Sequence, residues 1–145
     1  MRYLVPIGRL LFAAIFILGS LGHFSAKDVA YAAAQEVPMA NVLVPLSGVM
    51  ALLGGVSILL GFQTKIGAWL IIAFLVPVTL MMHNFWAVKD PAMAQIQQIM
   101  FLKNTSMLGG AIIIAYFGAG PCSVDEALCG KALPKQAAVE EVKQQ

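Results

Sequence analysis

The chain has 145 residues, 60% of them hydrophobic and only 11% charged, where soluble domains run at roughly 25% charged and 45–50% apolar. Small folds leave about a third of their surface exposed, so this composition excludes an ordinary water-soluble domain and points to lipid as the main solvent. A net charge of +2, from nine Lys or Arg against seven Asp or Glu, comes with no dense basic block and no basic-aromatic interleaving, which excludes nucleic acid as a partner.

Four stretches approach the ~20 apolar residues that a bilayer crossing requires: residues 5–24, 42–61, 66–86 and 99–118. Lipid cannot satisfy backbone hydrogen bonds, so the expected fold is all-α, a four-transmembrane-helix bundle. The first stretch begins like a signal peptide, with Met1-Arg2 ahead of an apolar run. Arg9 interrupts that run, and no A-x-A-like site follows Leu21-Gly22-His23-Phe24, so it is read as a retained first span. Ser25-Ala-Lys-Asp28 fits a capping box ahead of an alanine-rich stretch to Glu36, which predicts a short interfacial helix between the first two spans.

Pro38 ends what precedes the second span. Gly61 with Gln63-Thr64-Lys65 makes a tight turn before the third, so those two helices are antiparallel neighbours. A kink is expected at Pro77 in the third. Asp90-Pro91 reads as an N-cap with proline at the first helical position, and residues 92–98 extend the fourth helix outward. The four-helix membrane domain is set at residues 1–121 and a polar C-terminal tail at 122–145, with little fixed structure expected from Lys131 onward.

Arg2, Arg9, Lys65, Lys131, Lys135 and Lys143 lie on one side, and Lys27, Lys89 and Lys103 on the other. This bias places both termini in the cytoplasm. Small residues recur at four-residue spacing as Ser47, Ala51 and Gly55, and as Ala111, Ala115 and Ala119. They let helices approach closely, either within the bundle or at a homo-oligomer face.

Polar groups inside a span are costly, about 2.5–3.5 kcal/mol for a central charge on insertion scales, so their positions carry information. Arg9 sits about one turn inside the first span, either as a topology anchor reaching headgroups or facing the bundle to hold an anionic or carbonyl group. At the other side, His83-Asn84-Phe85-Trp86 closes the third helix while Lys103-Asn104 lies one turn inside the fourth, and His23 ends the first at the same depth. Arg9, Phe16 and His23 recur every seven residues and so share a face. Two imidazoles, an ammonium and two amides could hydrogen-bond a quinone or a lipid headgroup or exchange a proton with it. The plainer reading makes Trp86 and Lys103 interfacial anchors and the rest helix caps.

Two histidines without an intramembrane carboxylate do not make a metal site. Cys122 and Cys129, separated by Ser-Val-Asp-Glu-Ala-Leu, do not form C-x-x-C and are read as reduced, incidental thiols. No P-loop, dinucleotide fingerprint, catalytic serine or metalloprotease motif is present in the sequence.

Gly8-Arg9-Leu10-Leu11, Gly48-Val-Met-Ala-Leu-Leu-Gly54-Gly55 with Leu60-Gly61-Phe-Gln-Thr-Lys65, the His83-Asn-Phe-Trp86 segment, Phe101-Leu-Lys-Asn104 running to Leu108-Gly109-Gly110, and Gly118-Ala-Gly-Pro121 before Ser123-Val-Asp125 together resemble the DoxX family over residues 4 to about 128. The resemblance implies a bacterial four-helix inner-membrane protein, in some cases associated with quinone-linked oxidoreductases or with complexes that manage thiol and oxidative stress. It carries Arg9, His83, Lys103 and Asn104 onto this chain as matching positions without an assigned role. Members often have Glu where this chain has Ala51 and Lys where it has His23, and related redox proteins use a C-x-x-C pair absent here, which disfavours thiol-disulfide catalysis by this chain.

The expected function is a non-catalytic or accessory subunit of a membrane oxidoreductase system, with a soluble or membrane partner. A quinone or lipid headgroup would sit among His23, His83, Asn84, Trp86, Lys103 and Asn104, with Arg9 at the far end of the same helix face. A transporter for a small hydrophobic molecule and a purely structural interaction protein are the alternatives.

Overall fold

Four helices long and apolar enough to cross a membrane run through the computed structural model, which describes residues 3–132. In chain order the helices are α1 (Leu4–Ser20), α2 (Ala26–Ala34), α3 (Ala40–Leu60), α4 (Thr64–Met82), α5 (Pro91–Phe117) and α6 (Val124–Ala132). The spanning helices are α1, α3, α4 and α5, and the protein is a multi-pass membrane protein. Large apolar side chains such as Leu11, Leu18, Ile113 and Phe117 face outward, as lipid contact requires.

Start and stop chemistry sets the helix limits. Ser25 Oγ accepts from the Asp28 amide and starts α2, while Asp90 accepts from the Met93 amide ahead of Pro91 and starts α5. The α3–α4 turn needs a left-handed residue at Gly61, where φ is +68°. Pro77 lies inside α4, which continues to Met82.

Within the bundle α1 packs on α3, α3 on α4 and α4 on α5, and α2 lies over α3. The core joins Ala13 and Phe16, Ala51 and Ile58, Ala68, Ile71, Phe74 and Leu75, and Ala111. Small residues permit this packing. A Cβ at Gly54 would meet the Gly67 carbonyl and Ile71, and one at Gly55 would meet Ile17 and Phe16. In the stripe Ser47, Ala51 and Gly55, expected to serve packing or oligomerisation, Ala51 and Gly55 are buried within the chain. The fourth seam, α5 against α1, closes mainly through side chains such as Phe12 over Gly110.

At the end where α1 begins, Arg9 is 5% exposed. Its guanidinium donates to the Ala119 carbonyl at 3.1 Å and to the Cys122 carbonyl at 2.6 Å. Of the two readings of Arg9, the structure shows the inward one, and the carbonyls it holds belong to its own chain. A planar fork with several donors suits two carbonyls at once.

Residues 124–132, inside the stretch expected to be a polar tail, are helical, and α6 is held by hydrogen bonds. Ser123 Oγ accepts from the Glu126 amide and the Glu126 carboxylate accepts from the Cys122 amide, close to a capping box. Asp125 then accepts from the Gln63 and Thr64 amides and the Thr64 hydroxyl, capping α4 from another helix. Burial pushes the Asp125 carboxyl up, but the Thr64 and Gln63 hydrogen bonds and the Arg9 charge outweigh it and hold it below the usual carboxylate value. Cys122 is a half-buried free thiol. The reading of Cys129 and all of the tail from Lys131 lie outside the described side chains.

Candidate ligand chamber

At the opposite end, four of the seven candidate residues converge. His23, His83, Lys103 and Asn104 line one cavity of ≈ 190 Å³ between α1, α4 and α5, walled also by Phe16, Ala51 and Met107. A larger cavity of ≈ 520 Å³ between α2, α3 and α4 is lined by Leu43, Met50, Pro77 and Met82 among others. Both are bounded by His23, Phe74, Val78 and His83. A mostly apolar space of this size with a few convergent polar groups is the usual form of a small-molecule site.

Each polar group reaches the chamber for a local reason. His23 follows α1 in a 3-10 turn, Leu21–Phe24, and its Cβ packs so closely on Gly48 that any side chain there would collide with it. Its ring meets Phe74 edge-on at 5.6 Å, and its Nδ1 lies 3.1 Å from the Gly19 carbonyl. His83 caps the C-terminus of α4 with φ −126°, and its Nδ1 lies 2.7 Å from Gln97 Oε1 on α5. Gln97 also donates to the Tyr31 hydroxyl of α2 at 3.5 Å.

Asn104 stands two helical turns beyond Gln97 on the same face of α5, 5% exposed. It makes no hydrogen bond among the described residues, and its amide is not sealed in. A buried, unpaired amide costs about 1–3 kcal/mol when nothing answers it, so its placement against open space is the notable feature of the site. Lys103 is exposed at the rim.

The remaining candidates stand elsewhere. Trp86 is 61% exposed and packs edge-on against Phe85 and Phe101, lining neither cavity. Asn84 precedes the 3-10 turn Phe85–Ala87 and accepts from the Ala87 amide through its backbone. Arg9 is at the other end of the bundle. Sequence reading missed Gln97 and Tyr31; the seven-residue spacing of Gln97 from Asn104 is the signal that could have found the first. Among the described residues no three His, Cys, Asp or Glu side chains gather as metal ligands would.

The DoxX family model matches residues 4–84. The chain belongs to the DoxX family. No solved structure matches it. The match covers α1 to α4 with Arg9, His23 and His83, and ends before α5, so of the four polar residues of the chamber of this DoxX protein two, His23 and His83, lie in the matched segment and two, Lys103 and Asn104, beyond it. Ala51 and His23 both line the smaller cavity.

Proposed function

We propose that the protein is an accessory subunit of a membrane oxidoreductase system, which holds a quinone-class molecule or a lipid polar head in the chamber and presents it to a partner enzyme. The observation that carries this reading is the unpaired Asn104 amide, buried yet open to a cavity that two histidines also line. The donor set fits such a group. Asn104 and Lys103 can donate to a ring oxygen, the imidazoles can accept from a ring hydroxyl, and Phe74, Val78 and Met107 give apolar walls. A quinone would supply two-electron carriage to the partner; this chain's residues bind and orient it.

The family membership favours a bacterial inner membrane, and the Lys and Arg bias favours both termini in the cytoplasm. A transporter draws less support. Of the mid-span hydroxyls Ser47, Ser57 and Thr79, Ser47 donates to the Val44 carbonyl and Ser57 to the Phe62 carbonyl, so these two serve the backbone, and the buried Thr79 alone does not make a polar path.

Purification in mild detergent followed by solvent extraction and mass spectrometry tests the proposal. A quinone-class molecule or a lipid enriched over the bulk membrane, together with oxidoreductase subunits, is expected with the wild-type chain and is expected to be lost in His83→Ala. Extracts that match bulk lipid, with no copurifying subunit and no change in the variant, would contradict it.

A further inference from the structure

The hydrogen that each chamber histidine carries is fixed by what its Nδ1 faces. His23 Nδ1 meets the Gly19 carbonyl at 3.1 Å. A carbonyl only accepts, so Nδ1 holds the hydrogen and, in the neutral ring, Nε2 is left as a bare acceptor. His83 Nδ1 lies 2.7 Å from Gln97 Oε1, an oxygen that only accepts, so with Nδ1 donating to it the neutral ring leaves the His83 Nε2 an acceptor too. Neither Nε2 has a partner among the described residues, and neither is sealed in. Both rings line both cavities. Asn104 adds a donor and an acceptor, and Lys103 adds donors at the rim.

A ligand that matches this set must donate as well as accept. A quinone carbonyl has lone pairs alone. It would satisfy Asn104 or Lys103 but would set its oxygen against the lone pair of an imidazole. A hydroxyl gives its hydrogen to Nε2 and receives one from Asn104 or Lys103 on the same oxygen. We propose that the chamber selects a membrane-soluble molecule bearing hydroxyl groups at its polar end, a lipophilic quinol or phenol rather than the corresponding quinone. This rests on the chamber being a ligand site, and it adds which form of ligand the site holds. Gln97 and Gly19 are then positioning groups that set the imidazole tautomers without touching the ligand.

Equilibrium binding to the full chain in nanodiscs, under anaerobic conditions, compares decyl-benzoquinol with decyl-benzoquinone, which share a tail and differ in the hydroxyls. The quinol is expected to bind at least about ten-fold more tightly, since a site built around polar groups strongly rejects an analogue that leaves them unpaired. His23→Asn retains an amide where Nδ1 met Gly19 and removes the Nε2 acceptor, and is expected to reduce the preference toward unity. The wild-type comparison needs no variant to fold. A monoacylglycerol of equal chain length separates the sources of the hydroxyl: binding as tight as the quinol's would support the hydroxyl rule and assign the site to a lipid head. Equal binding of the two redox forms, or tighter binding of the quinone, would overturn the proposal and leave the chamber a ligand site. Failure of all three probes to bind would overturn both.

Discussion

Two buried polar residues, Arg9 and Asn104, are each 5% exposed and have opposite relations to stability. Arg9 answers two backbone carbonyls, so Arg9→Ala leaves them without their donor and is expected to cost about 2–4 kcal/mol. Arg9→Lys should recover only part of this, because a single ammonium does not reproduce the fork. Thermal unfolding in detergent reads the loss, and limited proteolysis should show earlier cleavage around Gly118–Pro121. Asn104 has no hydrogen-bond partner among the described residues, so Asn104→Leu, similar in shape, should leave the melting temperature unchanged or raise it. A loss of more than a few degrees would mean that Asn104 has a structural partner. Gly48→Val should push on the His23 Cβ and cost about 1–3 kcal/mol by overpacking, read by the same melt.

Of these residues, sequence made Arg9, His23, His83, Lys103 and Asn104 visible, because polar groups in apolar runs stand out and antiparallel helices equate depths. It could not separate them from Asn84 and Trp86, since a shared depth does not say which way a side chain points around the helix. Trp86 turns outward to Phe101 while Asn104 turns inward. Gln97 was hidden by its place in a helix extension that reads as solvent-facing.

At the scale of elements, the capped helices were legible and the docked one was not. Ser25 and Asp90 announce α2 and α5 through local signals. α6 carries a local signal too, Ser123 with Glu126, but what fixes α6 to the bundle is Asp125 reaching the start of α4 across the fold, which chain order does not reveal. The Asp125 carboxyl is held below its ordinary value of about 3.9. A group depressed in the folded state contributes stability that is present above the unfolded value and lost as pH falls through the folded one. Stability should therefore be flat above about pH 5 and fall below about pH 4. Asp125→Asn should be less stable at neutral pH and should lose part of that acid-side slope, as checked by thermal melts from pH 3 to 7.

The whole molecule is an α1–α3–α4–α5 bundle tied at one end and hollow at the other. At the tied end Arg9 and Asp125 close α6 and the Gly61–Thr64 turn onto α1 and α4. At the hollow end α2 lies over α3, and α1 and α5 meet around an open cavity. Gly55 packs inside this bundle, so Gly55→Leu should destabilise the single chain by wedging Ile17 and Phe16 apart. Its effect should appear in the melt, and crosslinking should not show loss of a dimer formed through that face.

The chamber itself is tested most directly by native mass spectrometry of the detergent-purified chain, wild type beside Asn104→Leu. The wild type should release a discrete lipophilic adduct on collisional activation, and the variant, equally stable, should fly without it. The same adduct at the same occupancy in both, or none in the wild type, would contradict a ligand held at Asn104.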